Sequence, residues 1–318
     1  MDCLLPARLI QRLSFLEVLS KHQLIAYLGL LQARNYAKST LEAIVIAVRS
    51  LVLSLPDQRK TALADNLAQT TAADIDCLIN AARSRGLAAA TINGRLSMLT
   101  ELFDFLREDG QMQTQPVIRR RHRLPTPTTL PKPLAEADLV AFFKVIDSVR
   151  DRLLFLLMLR CGLRVSEACS LTWLDVDLQG LSIRINNGKG HVDRIVYIAP
   201  DLEKALQLWQ TRTTPSPYLF PSRRRSAPLG RGDIHWQMKK YLRLAGIQAN
   251  YSPHCLRHTF ATQLLNAGVS LEVLKELMGH RSIQMTLRYT KLYDATKRQQ
   301  YDQAMARIEN RHLKTGGE

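Results

Sequence analysis

Ser252-Pro253-His254-Cys255-Leu256-Arg257-His258 spells the opening of a helix. Proline suits the first helical turn, where its missing N–H costs nothing, and a serine just before it can cap the exposed amides. His254 and Arg257 lie three positions apart and so share one face of that helix. An imidazole and a guanidinium presented together suit a single anionic ligand. Working outward, Leu277-Met278-Gly279-His280 reads as a helix end, with Gly279 stopping the helix and letting His280 face outward. Tyr289 follows nine positions later. In the other direction, Cys161-Gly162 forms a turn that places Arg164 at the start of a further helix over 165–171, and Glu167 one turn on can steady that arginine. Residues 181–185 and 194–198 alternate with period two. The Asn186-Asn187-Gly188-Lys189-Gly190 run between them predicts a hairpin with Lys189 at its tip.

The rest of the chain predicts a mainly α protein with one small antiparallel sheet. Further helices begin near Leu202, Asp233, Leu271 and Ser282 and about Asp294. Residues 22–112 read as a bundle of about four helices, its apolar positions (Leu24, Tyr27, Leu28 and Leu31 in the first) serving as core. Thr71 is placed to cap one of these helices and Gly86 to end it. Residues 1–21 form an N-terminal extension. Residues 113–133 carry prolines and Arg119, Arg120, Arg121, Arg123 and Lys132 without an acidic partner, which predicts an extended linker whose arginines can follow a phosphate backbone. A second domain covers 134–293, and 294–318 is an amphipathic terminal segment.

Length and charge narrow the class of function. At 318 residues the chain has room for about two domains. Its formal net charge is +16, of which residues 116–318 carry +15 and residues 1–115 only +1. A polyanionic partner for the second part follows, and a disordered acidic tail or a disulfide scaffold does not. Five scattered cysteines without a C-x-x-C pair read as reduced thiols, neither staples nor a zinc site. The apolar run 153–159 is too short to cross a bilayer, which takes ~20 residues. With no signal peptide evident, the expectation is a cytoplasmic protein without membrane contact.

Arg164, Lys189, His254, Arg257, His280 and Tyr289, in this order and with these local spellings, resemble the catalytic set of the tyrosine recombinase, or lambda-integrase, family. The likeness runs from about residue 134 to 291. It rests on Gly-Leu-Arg-x-x-Glu, His-x-Leu-Arg-His, and Leu-Met-Gly-His with a tyrosine nine residues on. The resemblance implies that the 22–112 bundle is a core-binding (SAM-like) domain and that 134–293 is the catalytic domain. It implies a site-specific recombinase that cuts and rejoins DNA through a 3′-phosphotyrosyl intermediate, with no cofactor and no metal. Tyr289 would be the nucleophile, Arg164 and Arg257 the phosphate clamp, Lys189 the acid for the leaving 5′-oxygen, His254 an aid to proton transfer and His280 a phosphate donor. Glu167 would be a supporting residue.

Arg119, Arg120, Arg121, Arg123, Arg223, Arg224, Arg225 and Arg231 are the DNA-binding candidates. Tyr293 is a second phenol that the spacing disfavours, His258 is read as packing its helix, and Asp175 and Asp177 as turn structure. The family implies double-stranded DNA with a specific recombination site as partner. It also implies a tetramer docked through 294–318 and possible accessory DNA-bending or directionality proteins. About twenty residues before the bundle leave no room for an arm-binding domain, which suggests a simple Xer-like, plasmid or transposon enzyme. A catalytically silent DNA-binding regulator and a type IB topoisomerase-like relaxing enzyme are the alternatives.

Overall fold

The computed structural model describes residues 6–127, 131–186, 193–222 and 227–287, with residues 289, 301, 302 and 305. The chain divides into two compact units, Met1–Thr128 and Thr129–Glu318. Among the described residues no helix is long and apolar enough to cross a membrane.

The first unit is helical. Its main helices are Val18–Ala33, Lys38–Leu53, Asp57–Asp65, Ala72–Ser84 and Ala89–Glu108. Leu24, Leu28, Val48, Leu51, Leu102 and Phe103 meet in one core from which water is excluded. Thr71 caps its helix as expected, in a reciprocal pair with Asp74, and Gly86 leaves that helix with φ of 72°. Two stretches are bound more closely to this unit than their composition suggested. Leu9, Leu13 and Leu16, in the expected extension, are core residues. Met112 also lies in the core, with Val117 and Leu124 packed against it.

The turn of helix Arg119–His122 is anchored as well. Arg121 pairs with Asp76, His122 is fully buried beside it, and Asn93 exchanges two hydrogen bonds with the Leu124 backbone at 2.8 and 2.9 Å. Proline interrupts the helix but leaves the apolar side chains of 112–124 free to dock. The extended-linker reading therefore fails for this stretch.

The second unit is built on Val149–Arg160, a helix with Leu153, Leu154, Phe155, Leu157 and Met158 all buried. A helix apolar on every side has to be surrounded, and Pro200–Arg212 and Pro253–Asn266 pack along it. Phe155 meets the rings of Phe142 and Tyr241 edge-on, at 5.1 and 6.2 Å between centroids. Among the described residues the sheet has three antiparallel strands in the order Val176–Asp177, Ser182–Ile185, Arg194–Tyr197. Its register pairs Ile183 with Val196 and Ile185 with Arg194. Asp175 and Asp177 accept hydrogen bonds from nearby backbone amides, Thr172 for one and Gln179 and Gly180 for the other, as turn residues do.

Gly162 closes the central helix with φ of 60°, and a Cβ there would collide with the Phe260 ring. A side chain in that conformation costs about 1–2 kcal/mol, and overpacking adds about 1–3. Gly162→Ala is therefore expected to lower stability by about 2–5 kcal/mol in urea unfolding.

Candidate active site

Arg164 sits where the sequence placed it, as the residue capping helix Val165–Ser170. Its backbone N–H donates to Glu167 Oε2 at 2.8 Å and its Nη1 to Glu167 Oε1 at 2.6 Å. Its Nη2 reaches 115 residues along the chain to the carbonyl of Gly279, at 3.1 Å. Arg257, in the first turns of Pro253–Asn266, is 1% exposed. It donates to the carbonyl of Gly162 and, at 2.5 Å, to that of Met278. Two guanidiniums from separate helices thus grip consecutive carbonyls of the turn leading into His280. That turn exists because Gly279 takes the left-handed conformation, φ 60° and ψ 47°, that ends Leu271–Met278.

The electrostatics of this cluster turn on Glu167. Its carboxylate also accepts two hydrogen bonds from Arg194, at 3.0 and 2.8 Å, and lies 4.0 Å from Arg257. Burial alone would raise the Glu167 carboxyl, but Arg194 and then Arg164 hold it down at about 2. Burial, followed by the charge of Arg164, pulls the Arg257 guanidinium down to about 9. Three arginines around one carboxylate leave an excess of buried positive charge, the condition for taking an anion.

His280 is buried, its backbone N–H bonded to the Lys275 carbonyl and its Nδ1 2.9 Å from Thr286 Oγ1. Tyr289 is 4% exposed, its ring packed with Phe260, Leu265, Leu274 and Met278. Its hydroxyl is 2.8 Å from Nδ1 of His258. His254 is exposed and sets its ring edge-on against His258 at 4.6 Å.

Arg164, Arg257, His280 and Tyr289 are thus gathered in one region with His254 and Glu167. Lys189 and Arg223, Arg224 and Arg225 lie outside the described residues. Arg231 is exposed at the start of Arg231–Leu244. In the first unit Arg119, Arg120 and Arg123 are exposed around one surface cleft, while Arg121 is tied to Asp76. Among the described residues no group of three His, Cys, Asp or Glu side chains could hold a metal ion.

Sequence reasoning missed Arg194 and set His258 aside as packing its helix. Arg194 is buried and also donates to the Leu277 carbonyl at 2.7 Å. The signal was an arginine in the inward register of an alternating strand. His258 lies four positions after His254, on the same helix face, and that spacing was its signal.

The profile of the phage integrase family matches residues 132–296. The chain belongs to the phage integrase family of tyrosine recombinases. It is 36% identical over 217 residues to tyrosine recombinase XerA of Pyrococcus furiosus, covering 66% of this chain and 72% of that one. It is 31% identical over 248 residues to tyrosine recombinase XerC of Vibrio cholerae, covering 74% and 78%. In fold this recombinase is similar to a lambda integrase fragment solved as a dimer on its core site. The TM-score is 0.69 at 20% identity, covering 84% of this chain and 94% of that one. A transposon Tn1549 integrase in complex with DNA aligns with a TM-score of 0.67 at 21% identity, over 86% and 95%. The recombinase is accordingly a site-specific enzyme that breaks and rejoins DNA.

Proposed function

We propose that Tyr289 attacks the scissile phosphate and carries the cut strand as a 3′-phosphotyrosyl ester. The convergence of Arg164 and Arg257 on the Met278–Gly279 turn, with Tyr289 in the same buried cluster as Met278, carries this reading. A planar guanidinium offers paired N–H donors to non-bridging oxygens, a fit that an ammonium lacks. Donors already held in place need little rearrangement as charge builds on the phosphate. The phenolic O–H bond breaks as the Oη–P bond forms, and the P–O5′ bond breaks with a proton supplied to the leaving oxygen. Lys189 is assigned that proton. His254 assists transfer at the phenol and His280 binds a phosphate oxygen. Storing the bond energy in the ester lets a second strand's 5′-hydroxyl reseal it without ATP.

The first unit serves as the core-binding domain, with Arg119, Arg120 and Arg123 exposed for phosphate contacts. Arg231 is assigned to the same task in the second unit. The enzyme works in the cytoplasm on double-stranded DNA bearing a specific site. It assembles as a tetramer through residues 294–318, which apart from 301, 302 and 305 lie outside the described residues. Accessory DNA-bending proteins set the direction of exchange, whether integration, excision or resolution.

The test is a nicked duplex carrying the sequence that the protein selects from a random pool. In EDTA a covalent protein–DNA adduct is expected, with the peptide containing Tyr289 carrying the nucleotide. A specific footprint without an adduct would make the chain a silent regulator. Relaxation of plasmids that lack the selected site would make it a topoisomerase.

A further inference from the structure

The Tyr289 hydroxyl meets His258, a residue outside the six that the family pattern singles out. Proton transfer needs heavy atoms about 2.6–3.2 Å apart, and the 2.8 Å between Nδ1 and Oη satisfies this. The imidazole is half-buried in a helix that also carries Arg257, so packing fixes its direction. The groups known to face it are Tyr289, from beyond helix Ile283–Leu287, and His254 from one turn earlier on its own helix, with Arg257 adjacent in the chain.

We infer that His258 is a catalytic residue, the general base that takes the proton from Tyr289 Oη as that oxygen attacks phosphorus. In this step Nε2 carries the imidazole hydrogen and Nδ1 accepts. The O–H bond breaks, the O–P bond forms, and the electron pair of the P–O5′ bond leaves with the 5′-oxygen, which is protonated from elsewhere. When the ester is resealed the imidazolium returns the proton to the phenol. The inference rests on the proposed role of Tyr289.

The test measures adduct formation on the selected nicked duplex from pH 5.5 to about 9.5, a window that spans the ordinary imidazole range and stops short of the phenol's. The wild-type rate is expected to level off above the imidazole range. His258→Asn keeps a polar atom near the Nδ1 position but no base. It is expected to be about 100-fold slower near neutrality, with a rate that climbs about tenfold per pH unit as the phenolate forms unaided. His258→Gln should behave in the same way. DNA affinity and thermal midpoint are measured alongside; affinity should match wild type and the midpoint should fall by no more than about 2–4 °C, the equivalent of one hydrogen bond.

A duplex with sulfur in place of the bridging 5′-oxygen separates base from acid, because a thiolate leaves without a proton. The Asn variant should remain slow on it. A rate within twofold of wild type across the range, a faster rate, or rescue by the sulfur substrate would overturn the inference. So would a wild-type rate that rises steadily to pH 9.5, whatever the variants do. An adduct in the Tyr289→Phe protein would instead defeat the reading beneath it, so the two failures are distinguishable.

Discussion

Tyr289→Phe is expected to bind its DNA site with unchanged affinity and to form no covalent adduct. The substitution removes one oxygen and leaves the ring among Phe260, Leu265, Leu274 and Met278, so packing is preserved. The lost hydrogen bond to His258 costs about 1 kcal/mol, small beside typical domain stabilities. Arg164 and Arg257 keep their carbonyl partners, so the anion site stays assembled. Binding without bond breakage separates nucleophile from scaffold. The assay is denaturing gel electrophoresis of the nicked duplex in EDTA, run beside a binding titration. A persisting adduct that maps to Tyr293 would transfer the nucleophile's role four residues along and defeat the present reading.

Glu167→Gln is expected to lose about 3–5 kcal/mol of stability, because it strands buried cations without a counter-charge. Arg194 and Arg257 are 7% and 1% exposed, and neither can turn to water when the carboxylate is gone. The sign of the accompanying pH effect follows from the depressed carboxyl. Folded, Glu167 titrates at about 2, below its ordinary 4.5. Its contribution is complete above the unfolded value and drains away as pH falls from there toward the folded one. Wild type should therefore weaken between pH 5 and 2 more steeply than the Gln variant. Urea midpoints at neutral and acid pH measure both effects. Equal midpoints at pH 7 would mean that the three arginines do not depend on this carboxylate.

Much of the site was legible because local spelling fixes local shape. Pro253 starts its helix, Gly279 ends another, and Arg164 caps a third, as their residue types require. Contacts between distant segments were not legible. The bond between His258 and Tyr289 spans 31 residues, and Arg194 reaches Leu277 across 83. Neither separation has a helical or strand period to betray it. The first unit shows the same limit, since prolines and arginines over 113–133 describe an extended chain, while the pairing of Arg121 with Asp76 depends on where a helix 45 residues earlier presents its carboxylate.

Apart from Glu167, the acceptors that align Arg164 and Arg257 are main-chain oxygens of residues 162, 278 and 279. Every amino acid supplies such an oxygen, so drift in side-chain identity at Met278 cannot delete its acceptor. An insertion or deletion that shifts the end of that helix by one residue can. Across descendants of this chain, helix length between Ser270 and His280 should accordingly be held more tightly than spelling, and gaps there should mark lineages that have given up strand exchange.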